Sequence, residues 1–382
     1  MIGETVSLGE VCEILDTLRK PITKKFRKQG QYPYYGATGI VDYVNNYIFD
    51  ETLVLIGEDG AKWDKGDQTA FIVSGKYWVN NHAHVIRPFK DKLNKKFLVY
   101  YLNSIDLKPW VTGLTVPKLN QKKLKSIPIP LFTIENQQRI VAKLDAAFAE
   151  IDNAIYAEEE KKNQIRPALK SIYRDILYNR QSSTNNKKSL LGDISRVVGG
   201  NGFPKSYQGH SNKEIPFIKV SDMNAQGNEK FIYKTAHTVD TNTLKAIKAK
   251  AHEAGTLIFP KIGGAISTNK KRLLNKISAY DNNIVGVKPS DKLLPEYLHK
   301  IFKIIDIYEL SNKAALPSIN NPSIESIELF VPNLQEQSKI IEKLNLVDEH
   351  FTNLSDCVAS KIHNFKLLKS TMIKHHLSPK AA

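Results

Sequence analysis

Long apolar runs are missing from this 382-residue chain. No stretch approaches the roughly 18 consecutive apolar residues of a membrane-spanning helix, so no membrane is expected among its partners. Cysteine is scarce: Cys12 and Cys357 lie far apart and form no metal-binding spacing. A reducing cytoplasm is the natural compartment for such a chain. Its first residues, Met1-Ile2-Gly3-Glu4-Thr5, lack the basic and apolar regions of a signal peptide. Acid is also in short supply, with 39 Asp and Glu against 55 Lys and Arg and a formal charge of +16.

Catalytic motifs are equally sparse. There is no Gly-x-x-x-x-Gly-Lys-Ser/Thr phosphate loop. Gly199-Gly200-Asn201-Gly202 lacks the spacing of a dinucleotide fingerprint and reads as a backbone turn. Asn320-Asn321-Pro322-Ser323 has neither the second proline nor the aromatic on which an adenine methyltransferase stacks a flipped base, and its counterpart Asn120-Gln121-Lys122-Lys123 has no proline at all. His82 and His84 would share a strand face but have no third ligand nearby in sequence, so structural or contact roles are expected rather than metal. Glu58, Asp59 and Asp64 read as a solvated loop rather than a nuclease cluster. No catalytic residue, metal site or cofactor is expected in this chain.

What the chain does have is a duplication. Pro117-Lys118-Leu119-Asn120, Leu124, Ser126-Ile127, Ile129, Gln137, Ile140 and Lys143-Leu144 return 200 residues later as Pro317-Ser318-Ile319-Asn320, Ile324, Ser326-Ile327, Leu329, Gln337, Ile340 and Lys343-Leu344. Earlier anchors match with small shifts. Leu8-Gly9-Glu10-Val11 matches Leu191-Gly192-Asp193-Ile194, and Pro33-Tyr34-Tyr35 matches Pro216-Phe217-Ile218. Thr52-Leu53-Val54 matches Thr256-Leu257-Ile258, and Asn80-Asn81 matches Asn282-Asn283. A shared frame with loops of different length implies two equivalent modules reading different targets, or neutral loop drift.

The charge follows the duplication. Residues 1–133 carry 19 Lys and Arg against 13 Asp and Glu, and residues 181–334 carry 21 against 13; residues 134–180 balance at 8 and 8. Two basic modules suggest a polyanion held at two places, nucleic acid first among them.

The intervening segments read as long helices. Ile140, Leu144, Phe148, Ile151, Ile155, Ile165, Leu169, Ile172 and Ile176 recur in steps of four and three, as do Ile340, Leu344, Val347, Phe351, Leu354, Val358, Phe365, Leu368 and Met372. Thr133 and Asn333 stand at the expected starts, Pro167 should kink or interrupt the first helix, and Gln181–Lys188 reads as a linker. The two apolar stripes can pack on each other, and antiparallel pairing suits a pseudo-symmetric arrangement; recruitment by another chain is the alternative. The modules read as strand-rich, with runs at Thr52–Ile56, Ala70–Val73, His84–Ile86, Phe217–Val220, Thr256–Phe259 and Ile284–Val287, and helices near Lys95–Asn103 and Pro295–Ile305.

This layout resembles the specificity subunit of Type I restriction–modification enzymes, over essentially the whole chain. The resemblance is carried by Ser126-Ile127-Pro128-Ile129-Pro130-Leu131 leading to Glu135-Asn136-Gln137-Gln138-Arg139-Ile140. Its counterpart is Ser326-Ile327-Glu328-Leu329-Phe330-Val331-Pro332 leading to Gln335-Glu336-Gln337-Ser338-Lys339-Ile340. Tyr35-Gly36-Ala37-Thr38-Gly39-Ile40 looks like a recurrent target-recognition loop of that family, and so do Ile215–Asp222 and Lys261–Ile266. Asn136 before Gln137, and Gly263-Gly264-Ala265, depart from its commoner forms.

The resemblance implies an α+β fold: two pseudo-symmetric target recognition domains, mixed and strand-rich, separated by two long helices packed as an antiparallel coiled coil. The boundaries expected are 1–133 for the first domain, 134–186 for the central helix and linker, 187–333 for the second domain and 334–382 for the C-terminal helix. It implies a non-catalytic reader of double-stranded DNA, each domain taking half of a split asymmetric site. The helices would set the spacing and dock two methyltransferase subunits, which restriction (helicase-nuclease) subunits join. S-adenosylmethionine, ATP and Mg2+ would belong to those partners. A self-sufficient nucleic-acid-modifying enzyme, a methyltransferase or nuclease, and a coiled-coil adaptor are the rival readings.

DNA contact needs cations for phosphates and amide, guanidinium or hydroxyl groups for base edges. In the first module the run Lys24, Lys25, Arg27, Lys28 suits phosphate, or is a plain solvated loop. Tyr34, Tyr35, Thr38, Lys62, Trp63, Asn80, Asn81 and His82 are expected in turn-rich loops, and Lys118 and Asn120 in the duplicated loop. In the second, Lys205, Lys219, Ser221, Lys261, Ser267, Thr268, Asn269, Lys270, Lys271, Arg272, Asn282, Asn283, Ser318 and Asn320 take the matching places.

Overall fold

A computed structural model describes residues 4–113, 115–178 and 188–377. The tract Gln181–Lys187 of the expected linker lies outside the described residues. The chain forms two compact units, one of residues 1–161 and 358–382 and the other of residues 162–357. Each unit therefore combines one strand-rich module with a part of both long helices, Ile134–Tyr178 and Leu334–Leu377. No helix among the described residues is long and apolar enough to cross a membrane.

In the first unit an antiparallel sheet runs in the order Cys12–Ile14, Ala83–Pro88, Leu53–Gly57, Ala70–Val73. Its central strand Leu53-Val54-Leu55-Ile56-Gly57 is buried throughout, since both of its faces are covered. A second sheet holds Gly39–Val44, Gln29–Gly36, Lys76–Val79 and Phe49–Asp50, with the middle pair parallel. In the second unit the corresponding sheet runs Ser195–Gly199, Ile284–Pro289, Leu257–Pro260, Arg272–Leu274, Phe231–Ile232, and a smaller one pairs Ile215–Ile218 with Thr238–Val239 and Ala279–Tyr280.

The duplicated sequence forms the joint between module and long helix. Glu4–Ser7 pairs with Pro128–Leu131 in one unit, and Lys188–Leu190 with Glu328–Phe330 in the other. The module starts Leu8–Val11 and Leu191–Ile194 are single helical turns laid on Gln121–Lys125 and Asn321–Glu325, where the Leu8 N–H donates to Ile127 O and the Leu191 N–H to Ile327 O, at 2.9 and 2.8 Å. The contact in each turn is close: a Cβ on Gly9 would stand 3.2 Å from Lys125 Cβ, and one on Gly192 3.1 Å from Glu325 Cβ, so a larger residue would push the neighbouring side chain by a few tenths of an ångström.

Gln137 and Gln337 lock the same joint, and both are fully buried. Gln137 Oε1 accepts from the N–H of Asn94, while its Nε2 donates to the carbonyls of Lys92 and Phe132, all at 2.8 Å. Gln337 repeats the pattern with Leu294, Lys292 and Pro332 at 2.7–2.8 Å. A single amide thus ties the loop entering one module helix, Lys95–Ser104 or Pro295–Ile304, to the first turn of a long helix.

The long helices start where the caps place them. Thr133 Oγ1 accepts from the Asn136 N–H, and Asn333 Oδ1 from the Glu336 N–H. Pro167 does not interrupt the first, which runs unbroken to Tyr178. In the first unit Leu144, Phe148 and Ile151 pack with Phe365, Met372 and Ile373. Asp152 pairs with Lys369 at 2.7 Å and Glu158 with Lys361 at 3.6 Å, so the partners run in opposite directions. In the second unit Leu169, Tyr173 and Leu177 join Ile340, Ile341 and Leu344 in the core. The expected stripe needs one correction: Ile172, Leu354 and Leu368 are exposed, while Tyr173 and Leu177 lie inside. After Pro167 the seam advances by fours, through Leu169, Tyr173 and Leu177, instead of returning by a step of three.

Candidate nucleic-acid interface

At one end of the buried central strand, both units carry the same backbone frame. In the first, the Glu58 N–H donates to His82 O and the Leu119 N–H to Glu58 O, each at 2.8 Å. In the second, the Lys261 N–H donates to Asn283 O at 2.8 Å and the Ile319 N–H to Lys261 O at 2.9 Å. Asp59 bridges to Lys118, and Ile262 to Ser318. The frame makes Glu58 equivalent to Lys261, His82 to Asn283 and Lys118 to Ser318.

It also corrects the matching of Asn80-Asn81 with Asn282-Asn283 by one residue. The Asn80 N–H donates to Tyr35 O, and the Asp281 N–H to Ile218 O, both at 3.0 Å. The side-chain oxygens of Asn80 and Asp281 then accept from the N–H two residues on, at His82 and Asn283, at 2.8 Å. Asn80 and Asp281 are therefore buried anchors of the turn. Asn81, His82, Asn282 and Asn283 are what it exposes.

Behind the first turn lies a charged network that sequence spacing does not reveal. Buried Glu58 receives Arg19 Nη1 at 2.5 Å and Lys118 Nζ at 2.9 Å. Buried His84 places Nδ1 2.6 Å from Asp16 Oδ2 and Nε2 2.6 Å from Leu119 O. Burial works against the Asp16 carboxylate, but the His84 and Val85 hydrogen bonds and the Arg19 charge outweigh it and hold its pKa below the usual value. The Glu58 bond raises the Lys118 ammonium above its usual value. His82 reaches out to Asp59. Ligand-type atoms of Asp16, Glu58 and His84 lie within 4.8 Å of one another. Arg19 and Lys118 already supply the positive charge these carboxylates require, so the cluster reads as an ion-pair network. Glu58 is not the solvated loop residue that sequence suggests, and His84 is buried on Asp16 and Leu119 while His82 is exposed on Asp59.

The remaining candidates divide by exposure. Lys24, Lys25 and Lys28 are exposed and, among the described residues, form no ion pair, beside a Phe26 that is 68% exposed. Arg27 is an anchor instead: it pairs with Asp42 at 3.0 Å, donates to Ile22 O and lies over the Tyr34 ring. Tyr34 and Tyr35 belong to the strand Gln29–Gly36 rather than a loop. Tyr34 is buried with its hydroxyl accepting from the Ile22 N–H, and Tyr35 packs edge-on against Tyr77. Thr38 is exposed at the hairpin turn that follows, where Gly39 adopts φ +125°. Lys62 is exposed, but its neighbour Trp63 is buried in the core.

In the second unit Lys205 and Ser221 are exposed, and Lys219 reaches Gln208 at 3.3 Å. Ser267 and Thr268 turn their hydroxyls to Gly264 O and Ala265 O. Asn269, left-handed at φ +55°, accepts from the Ile307 N–H. Lys270 meets Asn224. Lys271 is buried at 6% exposure and Arg272 is half-buried, so the run Lys270-Lys271-Arg272 does not present three free cations. Asn120 and Asn320 have helix-capping duties, accepting from the N–H groups of Lys123 and Ser323. Burial and capping are set by tertiary packing, which residue type alone does not disclose.

Residues 3–165 and 184–358 match the family described as Type I restriction modification DNA specificity domain, which thus appears twice. The chain belongs to the specificity subunits of Type I restriction–modification systems. It is 30% identical over 348 residues to a Haemophilus influenzae protein bearing the name of a type I restriction enzyme specificity subunit, covering 88% of this chain and 86% of that one. It is 21% identical to the EcoDI specificity subunit of Escherichia coli, covering 94% and 84%. Its fold is similar to a chain solved in a study of assembly and conformational transition of the type I system, at TM-score 0.76 and 16% identity over 100% and 98% of the two chains. The HsdS subunit of Thermoanaerobacter tengcongensis gives 0.57 at 15% identity, over 99% and 97%.

Proposed function

We propose that this specificity subunit reads a split, asymmetric DNA site, one half with each target recognition domain, and that its helices set the gap and dock two methyltransferase subunits. The observation that carries this is the shared frame with unlike side chains. Glu58, His82 and Lys118 in one unit stand where Lys261, Asn283 and Ser318 stand in the other. With Glu58 buried in its ion pairs, the accessible groups that differ are His82 and Lys118 in one unit and Lys261, Asn283 and Ser318 in the other, and unlike donors and acceptors are what two different half-sites require. Exposed apolar residues on the helices, Tyr156, Leu367 and Leu368 in one unit and Ile172, Leu346 and Leu354 in the other, support docking of partner chains. Methyl transfer and cleavage then fall to those partners, which would bring S-adenosylmethionine, ATP and Mg2+.

The test is a map of methylated adenines made by the assembled enzyme carrying Lys261→Ala with Asn283→Ala. One half of the target should relax while the other half and the gap stay as they were. Changes in both halves would overturn modular reading, and methyl transfer by this chain alone would favour a self-sufficient enzyme.

A further inference from the structure

In the second unit, the end of the first long helix faces the helix Pro295–Ile304 across a cleft of about 530 Å3, closed at one side by Thr268–Arg272. Seven Lys and Arg side chains line it against three carboxylates. The acids are mostly committed. Asp348 receives Lys300 at 2.6 Å, the Tyr173 hydroxyl at 2.6 Å and Lys303. Asp306 accepts from the Tyr308 N–H.

The cations are less well matched. Lys230 pairs with Glu296, but among the described residues Arg166, Lys170, Lys271 and Arg272 have no carboxylate within ion-pair distance. Lys271 donates to Asn269 Oδ1 and Ile305 O, both at 2.7 Å. Arg272 donates to Lys271 O and Met223 O at 2.8 and 3.0 Å. Carbonyls solvate these cations without cancelling their charge, and Glu229, beyond ion-pair distance, is the carboxylate that favours the Arg272 guanidinium. Burial pushes the Lys271 ammonium down to about 7, with Asp306 opposing and Arg166 and Lys170 adding to the fall.

The duplication supplies an internal control. Lys366, Lys369, Ser370 and Ile373 occupy the places of Arg166, Leu169, Lys170 and Tyr173, with Tyr100 and Asn103 for Lys300 and Lys303, and they line a cleft in the first unit. There Lys369 pairs with Asp152 at 2.7 Å and Lys96 with Asp145 at 2.6 Å, leaving Lys366. The cleft belongs to the fold, but the surplus charge belongs to one copy.

We infer that the cleft lined by Arg166, Lys170, Lys271 and Arg272 is an anion site that takes phosphate groups. Two sources carry that chemistry: the backbone of a bound duplex, which rests on the function proposed above, and a free polyphosphate, which does not. The experiment uses the full chain with inorganic tripolyphosphate, by calorimetry, and a duplex carrying the mapped target, by anisotropy across a salt series. Arg166→Gln with Lys170→Gln should weaken at least one probe tenfold or more, while Lys366→Gln leaves both unchanged. Loss of tripolyphosphate alone identifies a free ligand. Loss of duplex affinity with a shallower salt slope, by about 0.9 per phosphate, identifies the backbone. Protection of Lys170 from acetylation by either probe gives the same reading in the unaltered chain. A double variant that binds both probes normally, or a Lys170 that neither probe protects, overturns the site. A chain that binds tripolyphosphate here, in an assembled enzyme that binds no duplex, refutes the proposed function and leaves the site standing.

Discussion

Single side chains carry much of the joint between module and helix. Gln137 and Gln337 each satisfy three main-chain groups inside the protein. A net hydrogen bond contributes about 1 kcal/mol, and a buried group left unpaired costs more. Gln137→Leu should therefore lower unfolding free energy by about 3 kcal/mol, read from the denaturant midpoint. Gln337→Leu should act alike on the second unit, and a variant with an unchanged midpoint would show the clamp to be dispensable. Asp348 is a second such residue. Burial works against its carboxylate, yet Lys300, Lys303 and Tyr173 hold its pKa below the ordinary value. A lowered carboxylate pKa stabilises the fold above the unfolded value near 4, and that contribution is lost as pH falls through the folded value. Asp348→Asn strands the buried Lys300 ammonium, so it should cost about 3 kcal/mol at neutral pH. The gap to the parent protein should narrow in acid, which melts across pH 3–7 would check.

At the scale of elements, the long helices present two apolar faces. Leu144 and Leu344 are fully buried at equivalent places. Aspartate at either position should cost several kcal/mol, on the order of a buried unpaired charge, and abolish folding of its unit. Leu367→Ser with Leu368→Ser removes apolar groups that are about half exposed to water. That pair should fold normally yet elute apart from methyltransferase subunits in gel filtration, and normal co-elution would exclude this face as the dock. The helices are legible in the sequence because a period of 3.6 needs only local residues. Their starts are legible too, since Thr133 and Asn333 cap them. The hairpin of Gln29–Gly36 with Gly39–Val44 is not, because Tyr34-Tyr35 in a glycine-rich stretch also suits a loop. The exposure of Asn81, His82, Asn282 and Asn283 follows from turn chemistry. The network of Asp16, Arg19, Glu58 and His84 does not, since its members come together from distant segments of chain.

For the molecule as a whole, charge and register act on different parts of DNA binding. On the proposed reading, the net charge of +16 would act on every phosphate within a Debye length, whatever the sequence, whereas the two frames would act only where a base edge meets Lys261 or His82. Lys24, Lys25 and Lys28 are free of ion pairs among the described residues, so their full charge is available to a phosphate. Replacing all three with alanine should weaken binding to every duplex by a similar factor. It should also flatten the plot of log affinity against log salt by about 0.9 for each phosphate no longer neutralised. The methylated sequence should stay the same. Replacing residues 1–133 with the corresponding module of another specificity subunit should do the reverse, changing one half-site and leaving the salt slope near its original value. The two results separate holding from reading. A lysine variant that alters the methylated sequence, or a module exchange that alters both half-sites, would mean that the frame around Glu58 and Lys261 does not divide the work in this way.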